Sequence, residues 1–421
     1  VQTVMTDKGI AHIGIGEARG DDKAMEAVQQ AVSSPLLETT IKGATHVIIN
    51  ISGDISLMDA NDAASYVQEL AGDDANIIFG AMYDDTYTDE ASITVIATGL
   101  DSSTATQPAV NSRKVVIVGC GFVGSASAFA LMQSKLFSEM VLIDADQNRA
   151  EGEALDIGHG MAFASPMKIY AGTYDDITDA AVIVITAGAN QKPDETRLDL
   201  IKKNSTIMRS IVGELKKREF HGILLIVSNP VDILTYIALK ESGYPANRVI
   251  GSGTVLDTGR FRYELGEHLG VDSRSVHAYI IGEHGDSELA AWSDARVGGL
   301  PIHDFCELRG HYDHDTAMER IFNSVKNSAY EIIAKKHATY YGIAMAVVRI
   351  CSAIVRDEQS IMPVSSLMTG EYGIQDVVLS IPSVVDANGI ETVVPIELSD
   401  QELEALRNSA AVLKQMIQEN C

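Results

Sequence analysis

Apolar positions in the first hundred residues follow two spacings, one typical of strands and one typical of helices. Short runs and alternations of apolar residues predict strands in the segments IAHIGIG, THVIINISG, ANIIFGAMY and ASITVIATGL. Apolar residues at helical spacing predict helices in DKAMEAVQQAV and in SLMDANDAASYVQELAG, the second of which ends at a glycine. Together these elements predict a compact α+β domain.

The rest of the chain alternates strand and helix patterns more regularly. The run from Val115 to Val118 is apolar and β-branched, which is typical of a buried parallel strand. Further strands are predicted in EMVLID, AAVIVITAGA, ILLIVSNPVDI and RVIGSGT, with helical stretches between them. Such alternation predicts an α/β fold with a parallel sheet and right-handed crossovers. A ligand is therefore expected at the carboxyl ends of the strands.

A segment of linker composition separates the two patterns. Residues 102–112, SSTATQPAVNS, are small or polar, include a proline and contain no Lys, Arg, Asp or Glu. Residues 1–110 hold 17 acids and 4 bases, a net charge of −13, which is half of the −26 of the whole chain. This acid density favours a separate amino-terminal unit. We predict a domain over residues 1–101 and a linker over residues 102–112.

Composition restricts the classes of function. With 421 residues, 46% of them apolar, the chain is long enough for two to three domains. The net charge of −26 argues against nucleic acid, since phosphate binding needs clustered Lys and Arg, and against an anionic membrane surface. No run is apolar enough to span a membrane, and no basic-then-apolar leader opens the chain at Val1.

The cysteines point to the redox setting. Cys120, Cys306, Cys351 and Cys421 form neither a CxxC spacing nor a disulfide-like framework. A reduced, cytoplasmic setting is therefore expected, and no metal site is expected.

A dinucleotide site is predicted where the first strand of the second pattern ends. Gly119, Gly121 and Gly124 form an intact GxGxxG between that strand and a helical pattern. The first glycine permits the tight turn, the second lets backbone approach a pyrophosphate, and the third lets helix and strand pack closely. Asp144 ends the next strand, where its carboxylate can bind both ribose hydroxyls and would repel the 2′-phosphate of NADP. These features predict NAD, whereas a ligand-free turn would not need the acid.

The amino-terminal segment does not repeat that site. Its motif GIGEARG has glycines at 14, 16 and 20, which miss the GxGxxG spacing, so no nucleotide loop is expected there. Residues 1–101, with VQTVMTDKGIAHIGIGEARG, AVSSPLLE and ITVIATGLD, resemble the carboxy-terminal domain of FtsZ, the tubulin-like bacterial division protein. That family holds its GTP loop in another domain. The resemblance therefore implies no GTPase activity in this segment.

Three later stretches hold groups suited to carbonyl reduction. They are GANQKPDETR, GSGTVLDTGRFR and VHAYIIGEHGD, in which His284 stands between two carboxylates. Hydride transfer to a carbonyl also needs a proton on the oxygen, which a histidine can supply near neutral pH. A carboxylate such as Asp257 can keep the imidazole protonated. Arginines can polarise the carbonyl and clamp a carboxylate.

Residues 113–421 resemble bacterial L-lactate dehydrogenase through a series of motifs that occur in the same order. These motifs are GCGFVG, TAGANQKP, ETRLDL, VSNPVD, GSGTVLD, RFR, GEHGD, ATYYGIA and YGIQDVVLS. The resemblance implies an NAD-binding Rossmann domain over residues 113–251, an α+β substrate and catalytic domain over residues 252–421, and a homotetramer. It implies that His284 is the proton donor and acceptor and that Asp257 is its partner. It also implies that Arg260 binds the substrate carboxylate and that Arg197 polarises the carbonyl from a mobile loop.

The same resemblance assigns the binding residues. Asn229 would orient substrate and nicotinamide ribose, Asn204 would lie beside the cofactor, and Thr339 would line the substrate pocket. Related malate enzymes carry an arginine at the position of Gln191, where it meets a second carboxylate. A neutral amide cannot supply that charge, so pyruvate and L-lactate are the expected substrates. The alternatives are malate or another 2-hydroxy acid, or an FtsZ-type assembly protein with the second domain as cargo.

Arg262 and His277 match positions that in many bacterial lactate dehydrogenases line a subunit interface and bind fructose 1,6-bisphosphate. Cations facing each other across a symmetry axis repel, and a bisphosphate would neutralise them. Activation by this effector is therefore expected. Two positions depart from the family: Asp194 and His337 stand where glycine is usual, and Asp194 could slow closure of the loop.

Overall fold

The computed structural model describes residues 10–20, 22–32, 41, 46–71, 75–83, 89–100, 111–189 and 197–420. The chain divides into two compact units, residues 1–106 and 107–421. Most of the predicted linker lies outside the described residues, and its last two residues already belong to a strand that begins at Asn111. The predicted domain bounds stay predictions. Among the described helices, none combines the length and the apolar character that crossing a membrane requires.

The first unit is a sheet with two helices, and all six elements predicted for it are confirmed. In chain order they are β1 (Ile10–Arg19), α1 (Lys23–Val32), β2 (His46–Gly53), α2 (Leu57–Ala71), β3 (Asn76–Tyr83) and β4 (Glu90–Leu100). The strand order is β1-β4-β2-β3, with β2 and β3 parallel and the other pairs antiparallel.

Close packing of β1 on α1 explains the glycines of this unit. A Cβ atom built on Gly14 would lie 1.7 Å from the carbonyl oxygen of Ala31, and one on Gly16 would lie 1.9 Å from that of Ala27. Only glycine lets the two backbones approach this closely. Both glycines therefore serve packing between strand and helix, which agrees with the prediction that GIGEARG is not a nucleotide loop.

The second unit begins with the predicted succession of strands and helices. Its first half contains β5 (Asn111–Val118), α3 (Phe122–Ser134), β6 (Glu139–Ile143), α4 (Gln147–His159), β7 (Lys168–Ala171), β8 (Ala180–Ile185), α5 (Arg197–Lys216), β9 (Ile223–Ile226), α6 (Val231–Ser242) and β10 (Val249–Gly251). The strands β5 to β10 are parallel and lie in the order β7-β6-β5-β8-β9-β10. The predicted parallel sheet is thereby confirmed, and its strand order is that of a Rossmann fold.

The second half adds helices and antiparallel strands. Its elements are α7 (Val255–Leu269), β11 (Val276–His277), β12 (Ile280–Ile281), β13 (Leu289–Ala290), β14 (Arg296–Val297), β15 (Leu300–Pro301), α8 (Ile302–Leu308), α9 (His314–Lys336), α10 (Tyr341–Val355), β16 (Ser360–Thr369), β17 (Gln375–Asp386), β18 (Gly389–Val393) and α11 (Asp400–Asn420).

Three of these strands extend the parallel sheet rather than forming a separate one. Strands β16, β17 and β18 pair antiparallel and continue the sheet beyond β10, which gives nine strands in all. Apolar side chains of β8 and β9 are buried on both faces, because helices cover the sheet on each side. The continuous sheet fixes the ends of β5, β8, β9 and β10, from which the candidate site is built.

Candidate active site

A cavity of about 530 Å³ opens at the carboxyl ends of the parallel strands. Its wall includes the glycine turn after β5, Asp144 after β6 and residues 186–189 after β8, and apolar side chains of Ile143, Tyr174 and Ile207 complete it. This is the edge of the sheet at which the alternation of strands and helices predicted a ligand.

The three predicted glycines fit a cradle for a pyrophosphate. Gly119 has a φ of 103°, and a Cβ there would lie 2.4 Å from the amide nitrogen of Ala187. A Cβ on Gly124 would lie 1.8 Å from the carbonyl oxygen of Gly119. Gly121, by contrast, faces open space and precedes α3 without a side-chain cap. The first amide groups of α3 are therefore available to an anion, and the residues fit a dinucleotide.

Asp144 is held in place by backbone amides. Its Oδ2 accepts a hydrogen bond from the Cys120 amide at 2.6 Å, and its Oδ1 accepts one from the Asp146 amide at 2.9 Å. The carboxylate thus lies against the glycine turn and lines the cavity. A fixed negative charge at this place favours ribose hydroxyls over a 2′-phosphate, as predicted for NAD.

Asn204 joins two strand ends. It is buried on α5, its Oδ1 accepts from the Ala189 amide at 2.8 Å, and its Nδ2 donates to the Asn229 carbonyl at 2.7 Å. Asn229 itself is exposed at the end of β9. The side chain of Asn204 thereby connects the wall of the cavity to the turn that begins α6.

His284 and Asp257 are brought together from residues 27 apart in the chain. His284 lies in the loop between β12 and β13, whereas Asp257 lies in the first turn of α7. Nδ1 of His284 is 2.6 Å from Oδ2 of Asp257, and the carboxylate is buried. Because Nδ1 is engaged, Nε2 is the nitrogen left to exchange a proton with a ligand.

Arg260 contacts the other oxygen of the same carboxylate. Its Nη1 donates to Oδ1 of Asp257 at 2.8 Å, one helical turn away on α7. Asp257 therefore bridges an imidazole and a guanidinium. The arginine keeps further N–H donors for a bound carboxylate, so this contact and the predicted role of Arg260 are compatible.

The electrostatics of the group favour a protonated imidazole. Burial lowers the pKa of His284, but the carboxylates of Asp257, Asp232 and Glu288 outweigh burial and raise that pKa to about 9. Burial raises the pKa of Asp257, yet the positive charges of His284 and Arg260 outweigh burial and hold it below its ordinary value. At neutral pH the pair can thus present a proton on His284 and a negative charge on Asp257.

Two buried acids of this site were not predicted from the sequence. Oδ2 of Asp232 accepts from the His284 amide at 2.7 Å, and its Oδ1 accepts from Ser365 Oγ at 2.5 Å. Burial raises the pKa of Asp232 to about 6. Burial and the charge of Asp257 raise the pKa of Glu288 to about 8. Asp232 belongs to VSNPVD and Glu288 follows GEHGD, so proximity to those motifs was the available signal.

Contacts with an aspartate and two serines fix the loop around His284 on several sides. Gly282 exchanges two backbone hydrogen bonds with Ser380 of β17, at 2.9 and 3.0 Å. The amide of Glu283 donates to Ser409 Oγ of α11 at 2.8 Å. Glu288, Asp257 and His284 also present donor atoms within 4.8 Å of one another, an arrangement that could hold a cation. The hydrogen-bond distance between His284 and Asp257 favours proton chemistry instead.

Thr339 lies half-buried between α9 and α10. The ring of the next residue, Tyr340, stacks on Phe122 at the start of α3, with centroids 5.6 Å apart. His337 ends α9 with a φ of 68°. Glycine is favoured at this left-handed position, so His337 adopts a backbone conformation that suits glycine better.

Arg262 and His277 are brought near each other at the other side of α7. Nε of Arg262 donates at 3.0 Å to the carbonyl of Ala278, the residue that follows His277, and its guanidinium lies over the ring of Tyr279. His277 is exposed. Half-buried Arg262 and exposed His277 therefore lie on neighbouring segments of α7 and β11.

Three predicted positions cannot be located. Gln191 and Asp194 lie outside the described residues, and so does the side chain of Arg197, whose backbone begins α5.

Comparison with protein families gives three matches. Residues 113–251 match the lactate/malate dehydrogenase NAD binding domain, and residues 254–421 match the lactate/malate dehydrogenase alpha/beta C-terminal domain. Residues 9–101 match the C-terminal domain of the FtsZ family.

Individual proteins are similar in sequence to this same part of the chain. An L-lactate dehydrogenase of Acetivibrio thermocellus is 53% identical over 305 residues, which cover 72% of this chain and 96% of that protein. An L-lactate dehydrogenase of Thermoanaerobacter sp. is 54% identical and covers 73% of this chain and 99% of its own. Among solved structures, the ligand-bound minor L-lactate dehydrogenase of Enterococcus mundtii has a TM-score of 0.70 at 49% identity, and covers 73% of this chain and 98% of its own.

Proposed function

Because residues 113–421 place this chain in the lactate/malate dehydrogenase family, we propose that it is an L-lactate dehydrogenase that interconverts pyruvate and L-lactate with NAD. The observation that carries the proposal is the His284–Asp257 pair, 2.6 Å apart, in the second unit. The half-buried imidazole and buried carboxylate suit a proton relay to a carbonyl oxygen. Relatives named L-lactate dehydrogenase support the substrate assignment.

Bound NAD would be held by the glycine turn, the first amides of α3 and Asp144, and the nicotinamide supplies or accepts the hydride. The chain itself performs the proton step. Protonated His284 donates from Nε2 to the oxygen of the 2-oxo acid, and Asp257 stabilises the imidazolium and fixes the ring through Nδ1. Asp232 holds the His284 backbone from α6. Arg260 and Arg197 would bind the carboxylate and polarise the carbonyl.

Substrate choice tests the proposal most directly. We expect reduction of pyruvate with a much higher kcat/KM than reduction of oxaloacetate, because the neutral Gln191 cannot compensate a second carboxylate. The measurement is NADH oxidation, followed by absorbance, with a panel of 2-oxo acids. A preference for oxaloacetate would replace the assignment with malate dehydrogenase, and no turnover of any 2-oxo acid would reject an enzyme of this class.

The Gln191→Arg variant should move that preference. A charged hydrogen bond contributes roughly 1.5–3 kcal/mol, so the ratio of kcat/KM for oxaloacetate over pyruvate should rise by about tenfold or more. Gln191→Asn is the matched control, since it keeps the position neutral and should leave the ranking of substrates unchanged. An equal ratio in the parent and the arginine variant would show that residue 191 does not face the substrate.

We further propose that the enzyme is a homotetramer activated by fructose 1,6-bisphosphate. The neighbouring positions of Arg262 on α7 and His277 on β11 support this, and His277 is exposed. If copies of the chain meet there around a symmetry axis, cations from two subunits face each other. A bisphosphate between them would remove the repulsion and favour the active arrangement.

Activation should be visible in the pyruvate saturation curve. Fructose 1,6-bisphosphate should lower the concentration of pyruvate that gives half of the maximal rate, and Arg262→Gln should abolish the shift. Inorganic phosphate at matched ionic strength is the control for charge screening. A curve that the bisphosphate leaves unchanged would remove the effector from the proposal while leaving the catalytic assignment intact.

For the amino-terminal unit we propose no catalytic role. Its glycines at 14 and 16 pack β1 closely on α1. The alternative of an assembly protein rests on the match of residues 9–101 to the FtsZ family alone. A cytoplasmic location is also a proposal, which the free and buried Cys120, Cys306 and Cys351 support.

A further inference from the structure

A second group of histidines lies on another surface of the second unit, at the beginning of two helices. His303 is in the first turn of α8, and His314 and Asp315 begin α9. Each of the three residues offers one donor atom, and these atoms all lie within 4.8 Å of one another. His303 and Asp315 are exposed, and His314 is partly buried. A dissolved ion can therefore reach the group without any rearrangement of the core.

The distance between two of the donors fits a shared ion better than a hydrogen bond. Nε2 of His314 lies 3.3 Å from Oδ1 of Asp315. A charge-assisted hydrogen bond between nitrogen and carboxylate is shorter, roughly 2.7–2.9 Å. Two ligands at about 2.0–2.1 Å from one tetrahedral ion stand about 3.3 Å apart. The observed separation is thus the one that two ligands of a single ion adopt.

The two imidazoles are also in contact. Their ring centroids are 4.4 Å apart and their planes make an angle of 69°. Nδ1 of His314 is buried without a hydrogen-bond partner. This leaves Nε2, the nitrogen beside Asp315, as the ligand atom that His314 can offer. The position of His303 next to it supplies a second nitrogen from a different helix.

We propose that His303, His314 and Asp315 bind one divalent cation of the late first-row metals, with Zn²⁺ as the best fit. Two imidazoles and one carboxylate are ligands that such ions accept in tetrahedral sites, with water in the fourth position. Mg²⁺ and Ca²⁺ are disfavoured because they select oxygen ligands. The bound ion links the first turn of α8 to the first turn of α9. It acts on stability and is separate from the proton chemistry of His284.

The test is calorimetric titration of the full chain with Zn²⁺, after treatment with a chelator and dialysis. We expect one high-affinity site per chain and a rise of Tm with Zn²⁺ concentration, because an ion that binds the folded state stabilises it. His303→Ala and Asp315→Asn should each weaken binding by about tenfold or more, since even loss of an outer contact at a metal site costs about that much. His311→Asn, which changes a nearby histidine outside the group, should keep the parent affinity.

The absorption spectrum of bound Co²⁺ provides a second measurement. It would be the same in the parent and the variants if these side chains had only a structural role. Its visible absorption bands report the ligand set, and they should appear in the parent and in His311→Asn but not in His303→Ala. Affinity for Zn²⁺ that is equal in the parent and in both ligand variants would overturn the proposal. In that case the ion binds elsewhere, and Asp257, His284 and Glu288 would be the group to examine. Absence of binding in the parent would overturn it as well.

Discussion

The His284→Asn variant should lose pyruvate reduction almost completely while it still binds NADH. A positioned general acid contributes roughly 10²–10⁴-fold to a rate, and asparagine has no proton to donate at neutral pH. The glycine turn and Asp144, which border the cofactor cavity, are on different elements and stay in place. We therefore expect kcat to fall by about 10²-fold or more, measured by NADH absorbance, with the Kd for NADH, measured by fluorescence titration, unchanged.

A histidine elsewhere in the same unit provides the control for this variant. His221 lies two residues before β9, and its backbone carbonyl accepts a hydrogen bond from Arg248 at 2.8 Å. His221→Asn should keep the activity of the parent. Turnover by His284→Asn at the rate of the parent would show that another group donates the proton, and the proposed function would lose its central residue. Loss of NADH binding together with activity would instead indicate a folding defect, which circular dichroism would reveal.

The strand and helix patterns predicted the local elements well because each depends on neighbouring residues. The β-branched run at Val115–Val118 and the GxGxxG after it predicted both the buried strand and the turn of the cavity. The antiparallel extension by β16, β17 and β18 was not predicted. The extension depends on pairing of β16 with β10, Ser365 with Gly251, which are distant in the chain, and such pairing leaves no local signature. Strands β17 and β18 then each pair with the strand before them.

The residues of the site also differ in whether the sequence could identify them, depending on whether their role is visible in a local motif or arises from a contact with a distant residue. Motif spacing identified His284 and Asp257, which the fold brings to 2.6 Å from each other. It did not identify Asp232, whose importance depends on a hydrogen bond to a residue 52 positions later in the chain. Burial gives that carboxylate its role, since a buried acceptor must be satisfied by specific donors. No single-residue pattern reports burial of this kind.

The pH dependence of activity should locate the proton on His284. The pKa of His284 is raised to about 9 by carboxylates, of which Asp257 is the strongest influence. In the proposed reaction, the charged imidazole is the proton donor in pyruvate reduction. The rate of reduction by the parent should therefore be nearly constant around neutrality and fall as the pH rises through about 9. Lactate oxidation needs the neutral imidazole and should rise over the same range.

In the Asp257→Asn variant, the fall in the rate of pyruvate reduction should occur at lower pH than in the parent. Without the carboxylate the pKa of His284 should fall toward its ordinary value of about 6.5, and the charge of Arg260, now unpaired, opposes protonation further. At pH 7.5 the protonated fraction of His284 should drop roughly tenfold from this shift alone. The value of kcat should fall by at least that factor, because the imidazole ring also loses the acceptor that orients Nδ1. Asp272→Asn, which removes an exposed carboxylate paired with Arg274, should leave the profile of the parent unchanged. Identical pH profiles for the parent and Asp257→Asn would mean that Asp257 does not set the protonation of His284. The proton relay would then have to be assigned to a different acid, and buried Asp232 and Glu288 are the candidates.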